Sequence, residues 1–314
     1  MDPVGPVGGG GAIPPAALTP GPGGPGNLEE AAGKPSAVLL FKPGIVAAVT
    51  LAGFSGMVLA RRGFPDPGKA ALALACILAA AGGSAALNTV LDAGMDEKMP
   101  RLSRRAAALR SAGRGKVVAG SVAAIAGSLL LSALLLNGTV TLLLAAAAAG
   151  YALLYTLVWK RRSPYGTIPG AIPGALPVLI GYAAVNPRLG PDGVVLFLFL
   201  VLWQPPHFWA LALRHQEEYR AAGVPVLPVA MGEPYTKVLI FLYAAALLPL
   251  SLSLWALGYL SSRFAWAALL LGTAFLAVFY RDTVTAKRYG RAFAASIVYL
   301  TLVMFSLLAD LLAG

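Results

Sequence analysis

Nine apolar segments of about 20 residues each follow residue 40, near 44–60, 70–91, 117–136, 139–159, 167–186, 194–213, 236–257, 264–280 and 292–312. The ~30 Å hydrocarbon core of a bilayer offers a bare backbone no hydrogen-bonding partner. Segments of this length and polarity therefore satisfy their own backbones as spanning helices. The pattern predicts an all-α polytopic membrane protein with about nine transmembrane helices. Composition agrees, at 58 % hydrophobic and 12 % charged. Soluble domains run at roughly 45–50 % and about 25 %, so a soluble enzyme is excluded. The runs are rich in Ala and Leu and lack a ten-residue alternation, which argues against an outer-membrane barrel. The third and fourth segments are separated only by Asn137 and Gly138, which predicts a tight helical hairpin. The single cysteine, Cys76, lies inside the second segment and has no intrachain partner.

The charges orient the bundle. The formal net charge is +11. Loops after the second, fourth, sixth and eighth segments, counted with Lys237 at the edge of the seventh segment, hold 17 of the 24 Lys and Arg, and those after the first, third, fifth and seventh hold five. Basic residues collect on the cytosolic side of membrane proteins, against an anionic leaflet. The excess is thus a topology signal, not a nucleic-acid footprint. It predicts a cytosolic N-terminus. Residues 1–36 are rich in Gly and Pro and read as a disordered cytosolic tail, with neither a signal-peptide nor a transit-peptide pattern. Residues 37–314 then form the membrane domain.

Chemistry collects at the basic end. Asn88, Asp92 and Asp96 are spaced i, i+4, i+8, which places three oxygen-bearing side chains on one helix face. Mg²⁺ prefers one or two carboxylates plus phosphate oxygens and water. Arg101, Arg104 and Arg105 follow and suit a phosphate. Together, acids, cation and arginines would bind a diphosphate. Glu217 and Glu218 form a second acidic pair on the same side. Pro205-Pro206 should break or kink the sixth helix, and His207 follows inside the span. Tyr151, Tyr155 and Trp159 repeat every four residues, either as an interfacial belt or as a wall of π faces for a carbocation. Lys160 and Arg161 are either interfacial anchors or further diphosphate ligands. Pro169, Pro173 and Pro177, with Gly170 and Gly174, mark the fifth span as a closely packed structural helix.

These stretches resemble the intramembrane prenyltransferases of the UbiA superfamily. Asn88, Asp92 and Asp96 are similar to its first aspartate motif, and Met99 and Arg101 to the M-x-R that follows. Residues 203–229, with P-P-H-F-W at 205–209, resemble the signature of the protohaem IX farnesyltransferase branch. Lys42-Pro43-Gly44-Ile45 resembles its opening K-P-R-I. Tyr155-Thr156, Lys160-Arg161, Pro164, Gly170, Gly174, Pro177 and Gly181 resemble its middle segment. The resemblance spans about 40–310. It departs at Gly94, where the family often has another Asp, at Tyr165-Gly166 in place of Gln-Asn, and at Glu218 in place of Asp.

The resemblance implies a UbiA-type bundle that transfers the farnesyl group of farnesyl diphosphate to a vinyl group of haem b. Asn88, Asp92, Asp96, Arg101, Lys160 and Arg161 become the catalytic set. Asp92, Asp96 and Glu218 become the Mg²⁺ ligands. Lys42, Tyr155, His207, Phe208, Trp209, Glu218 and Tyr219 become the substrate-binding residues. The expected setting is the bacterial cytoplasmic (inner) membrane, with the site facing the cytosol. Haem A synthase or oxidase assembly factors are the expected protein contacts. A relative acting on a quinone or lipid acceptor would keep the aspartates without needing the 205–209 stretch. A transporter would carry ionisable residues near the midplane instead of crowding them at one interface.

Overall fold

A computed structural model describes residues 36–313, and the expected tail over 1–36 lies outside them apart from Ser36. The described residues are helical and contain no strand. Among them nine helices are long and apolar enough to span: α1 Pro43–Arg61, α2 Pro67–Leu91, α3 Arg114–Leu135, α4 Gly138–Arg162, α5 Thr167–Val185, α6 Pro191–Arg214, α7 Glu233–Ala256, α8 Ser262–Thr285 and α9 Tyr289–Leu312. Several start earlier than hydropathy alone indicates, because their first turns are polar. Asp66 caps α2 by accepting from Lys69 N, with Pro67 at the first helical position. The predicted hairpin is present. Asn137 caps α4 by accepting from Val140 N at 3.0 Å and donates to Ala183 O of α5 at 2.9 Å.

Helix α5 is the hub, packed against α1, α2, α4 and α6. Its glycines permit backbone-to-backbone approach. A Cβ on Gly181 would lie 1.8 Å from Gly53 O of α1, and one on Gly174 would lie 2.2 Å from Gln204 Oε1 of α6. Leu130, Leu134, Leu142, Trp266 and Leu270 point outward, as lipid-facing residues do.

Of the break or kink expected at Pro205-Pro206, a break does not occur. Helix α6 runs unbroken through both prolines, as α5 does through Pro173 and Pro177. Opening the backbone at membrane depth would cost more than losing the proline N–H bonds. Gln204 Nε2 also cross-links the region, donating to Leu200 O at 3.2 Å and to Ala171 O of α5 at 2.9 Å.

At one end, short helices fill the connections: Ala93–Asp96, Pro100–Leu102 and Ser103–Ala112 after α2, and Gln216–Ala221 and Leu227–Met231 after α6. Met99, Ala212, Tyr219, Val224 and Val226 pack into a small apolar core there. That core joins the first acidic loop to the second.

Candidate active site

Helix α2 stops at Leu91, and Asp92 N still donates to Asn88 O at 2.9 Å. One further turn, Ala93–Asp96, carries the face onward. Asn88, Asp92 and Asp96 are all buried. Asn88 Nδ2 donates to Asp92 Oδ2 at 2.9 Å and to Thr156 Oγ1 at 2.8 Å, while Asn88 Oδ1 accepts from Lys42 Nζ. Lys160 Nζ lies 2.5 Å from Asp92 Oδ2, and Arg161 Nη2 lies 3.6 Å from Asp92 Oδ1. Asp96 pairs with Arg105 at 2.6 Å. Arg105 and Thr156 thus join the expected set. Arg105 was visible as one of the trailing arginines, whereas Thr156 carried no signal of its own beyond its place beside Tyr155.

The inner half of this cluster comes from a π-helical stretch of α4, Gly150–Trp159. Such widened turns recur at functional sites because they re-aim side chains within a helix. Here Thr156 Oγ1 donates to Tyr151 O at 2.8 Å, and Arg161 Nε to Thr156 O at 3.1 Å. The Tyr151 and Tyr155 rings stack at 5.8 Å and 17°. Gly170 of α5 makes room for them, since a Cβ there would lie 2.3 Å from Tyr155 Cδ2. Gly170→Ala is expected to push Tyr155 off its stack and lower turnover about tenfold, a small misplacement at the reacting centre. Steady-state rates on the purified variant check this, and unchanged turnover would remove Tyr155 from the site.

The second side is built by Arg101. Its Nε lies 3.2 Å from Glu218 Oε2, its Nη2 donates to Tyr219 Oη at 3.1 Å, and its guanidinium sits 5.4 Å from the Tyr219 ring. Arg101 therefore clasps the two loops together. His215 Nδ1 lies 2.8 Å from Glu218 Oε1. Glu217 points outward to Arg220, so only one of the paired glutamates faces inward. A cleft of about 450 Å³ opens beside this end, lined in part by Lys42, Arg101, Arg104 and Arg105. Lys42 sits in left-handed backbone at φ 50°, ahead of Pro43. Burial, and then the neighbouring Arg105 charge, push its ammonium down to about 8. A bound anion would favour its charged form.

The donor set suits a hard cation. Asp92 Oδ1 and Glu218 Oε2 are buried and accept no well-aligned hydrogen bond. Each faces only an arginine, Arg161 at 3.6 Å and Arg101 at 3.2 Å, which leaves both with lone pairs for a cation. The three expected ligands are not gathered as one group, however. Among the described residues no three His, Cys, Asp or Glu side chains converge on one point. Each acid is drawn instead to its own base: Asp92 to Lys160, Asp96 to Arg105 and Glu218 to Arg101.

The chain matches the sequence pattern of the UbiA prenyltransferase family over residues 46–305. It belongs to the UbiA prenyltransferase family. A protoheme IX farnesyltransferase of Geotalea uraniireducens (strain Rf4) is 48 % identical over 255 residues, covering 81 % of this chain and 98 % of that protein. The fold is shared with an apo UbiA homolog from Aeropyrum pernix K1, with TM-score 0.71, 18 % identity, and 86 % and 98 % of the two chains covered. It is also shared with a UbiA homolog from Archaeoglobus fulgidus bound to DMAPP and Mg²⁺, with TM-score 0.66, 14 % identity, and 87 % and 99 % covered.

In this UbiA prenyltransferase the 205–209 string divides among three surroundings, because successive helical residues turn by ~100°. Phe208 meets Tyr219 of the site, ring centroids 6.1 Å apart. His207 faces α9, held by Ser296 and Phe293. Trp209 is 0 % exposed and packs edge-on against Tyr243 of α7 at 5.3 Å. Trp209 thus packs between α6 and α7, away from the surface that Phe208 turns to Tyr219. At Gly94 a Cβ would meet nothing within 4 Å, so the missing carboxylate has no steric cause. Tyr165 turns to Tyr235, hydroxyls 3.0 Å apart, and ties α7 to the start of α5.

Proposed function

We propose that this prenyltransferase transfers the farnesyl group of farnesyl diphosphate to a vinyl group of haem b, giving haem O. The acceptor rests on one observation: 48 % identity spanning 98 % of a protoheme IX farnesyltransferase. The family match and that likeness favour this reading over a quinone or lipid acceptor and over a transporter. The buried acids with their adjoining bases support the diphosphate end.

Asp92 and Asp96, with Glu218 from the facing loop, are the residues that would hold Mg²⁺. When bound, the ion supplies Lewis-acid neutralisation of the leaving diphosphate. Asn88 orients Asp92 through its amide. Lys160 and Arg161, with Arg101 across the site and Lys42 at the cleft, direct positive charge at the phosphate oxygens. Asp92 holds Lys160 and Arg161, Glu218 holds Arg101, and the Asn88 amide holds Lys42, so little reorganisation is needed as charge develops. The C1–O bond breaks and its electron pair leaves with the diphosphate. The Tyr151–Tyr155 stack and Phe208 exclude water and offer π faces to the allyl cation. The vinyl π pair then bonds to farnesyl C1, leaving the positive charge on the carbon beside the pyrrole. Water adds there and loses a proton, which completes a hydroxyethylfarnesyl side chain. The site faces the cytosol from the bacterial cytoplasmic membrane, as the basic loops indicate. The product then serves haem-copper oxidase assembly, for which haem A synthase or an oxidase assembly factor is the partner this reading calls for.

The test is expression in a host lacking its own haem farnesyltransferase, with acid-extracted membrane haems separated and weighed by mass. Farnesylated haem is the expected product. Haem b alone, from correctly inserted protein, would overturn the acceptor.

A further inference from the structure

We propose that His207 ligates the iron of the haem substrate through Nε2, and that Ser296 is the positioning residue that sets the required tautomer. The inference rests on the haem reading above. Ser296 Oγ lies 2.6 Å from Phe293 O and 2.7 Å from His207 Nδ1. Two oxygens 2.6 Å apart need a proton between them, and the Ser296 hydroxyl supplies the one at hand. Its Oγ therefore meets His207 with a lone pair, and Nδ1 carries the hydrogen. The neutral ring then has an unprotonated Nε2.

That nitrogen accepts a proton or ligates a metal; it has no N–H to offer a propionate. Histidines that ligate metals usually have the other ring N–H fixed by an acceptor in this way. The ring plane is fixed as well. Trp203 and Phe293 lie nearly parallel to it, each at 4.4 Å, with interplanar angles of 19° and 25°. Trp203 is itself anchored, donating from Nε1 to Ser296 O at 2.9 Å. His207 nevertheless stays partly exposed within this sandwich. Phe208, the next residue, faces Tyr219. Iron ligand and farnesyl site thus occupy neighbouring faces of one turn of α6. Ligation there would fix the macrocycle so that one vinyl edge, and not an arbitrary one, meets the allyl cation.

The experiment adds haem b to the purified full chain in detergent, with absorption and electron paramagnetic resonance spectra as the readout. Wild type should give a histidine-ligated spectrum. His207→Ala should lose it, and added imidazole should restore it. Ser296→Ala should bind haem b roughly 10- to 100-fold more weakly, the usual effect of losing the group that orients a ligating histidine. Ser296→Thr, which keeps the hydroxyl, should stay near wild type. Haem b dimethyl ester, which lacks free propionates, should still show ligation by His207. Retained farnesyl diphosphate binding in each variant shows that it is folded. The proposal is overturned if His207→Ala leaves the spectrum unchanged while lowering affinity, or if Ser296→Ala matches wild type. A wild type that makes haem O but shows no dependence on His207 sinks this inference alone. One that neither binds haem b nor makes haem O removes the acceptor reading beneath it.

Discussion

Asp92→Asn is expected to lower farnesyl transfer by about 10³-fold or more, roughly 4 kcal/mol of lost transition-state stabilisation. Asp92 occupies the centre of the site, joined to Asn88, Lys160 and Arg161. Asparagine keeps the shape and one accepting oxygen, so Asn88 stays oriented. The charge that would hold the cation is lost, and Lys160 and Arg161 lose their counter-charge. This gives the variant a signature that misfolding would not share. Pyrophosphate binding measured without Mg²⁺ should be undiminished or stronger, while Mg²⁺-dependent transfer collapses. Asp96→Asn should behave alike by freeing Arg105. Normal transfer by either inserted variant would falsify the diphosphate assignment.

The second large effect concerns the scaffold. Gly181→Ala should destabilise the bundle by more than about 3 kcal/mol, above the usual range for overpacking. The added Cβ would lie 1.8 Å from Gly53 O and 2.7 Å from its carbonyl carbon. Both are backbone atoms of α1, so no rotamer change relieves the clash, and the helices must separate. Gly120→Ala is the matched control, since a Cβ there meets nothing within 4 Å. Thermal unfolding in detergent, followed by size-exclusion elution, compares the two. Equal melting temperatures would show that α1 and α5 do not depend on that contact. Because α5 also carries Gly170 against Tyr155, the damage should reach the site.

Much of the architecture was legible because its cause is local. A run of about 20 apolar residues must become a spanning helix wherever it sits. All nine expected segments correspond to helices among the described residues. The i, i+4, i+8 spacing placed Asn88, Asp92 and Asp96 on one face for the same reason, since helical geometry needs no tertiary information. Of the break or kink expected at Pro205-Pro206, no break is present. Proline's penalty is local too, but neighbouring helices made an unbroken α6 the better alternative there.

What needed the tertiary structure was the partner of each face. The string at 205–209 reads as a single motif, yet only Phe208 turns to the acidic site, while His207 meets α9 and Trp209 meets α7. Periodicity says that neighbouring residues diverge, not what each will meet. The same limit hid the contact of Lys42 with Asn88, 46 positions away, and that of Asn88 with Thr156, 68 away. It also hid Arg101's role as a clasp on Glu218 and Tyr219. Sequence alone determined the number of spans, the acidic face and the basic end, because hydropathy, helical pitch and charge act within a few residues. The joining of Asp92 to Lys160, of Arg101 to Glu218 and of His207 to Ser296 was decided by packing, because only the folded bundle brings those distant segments together.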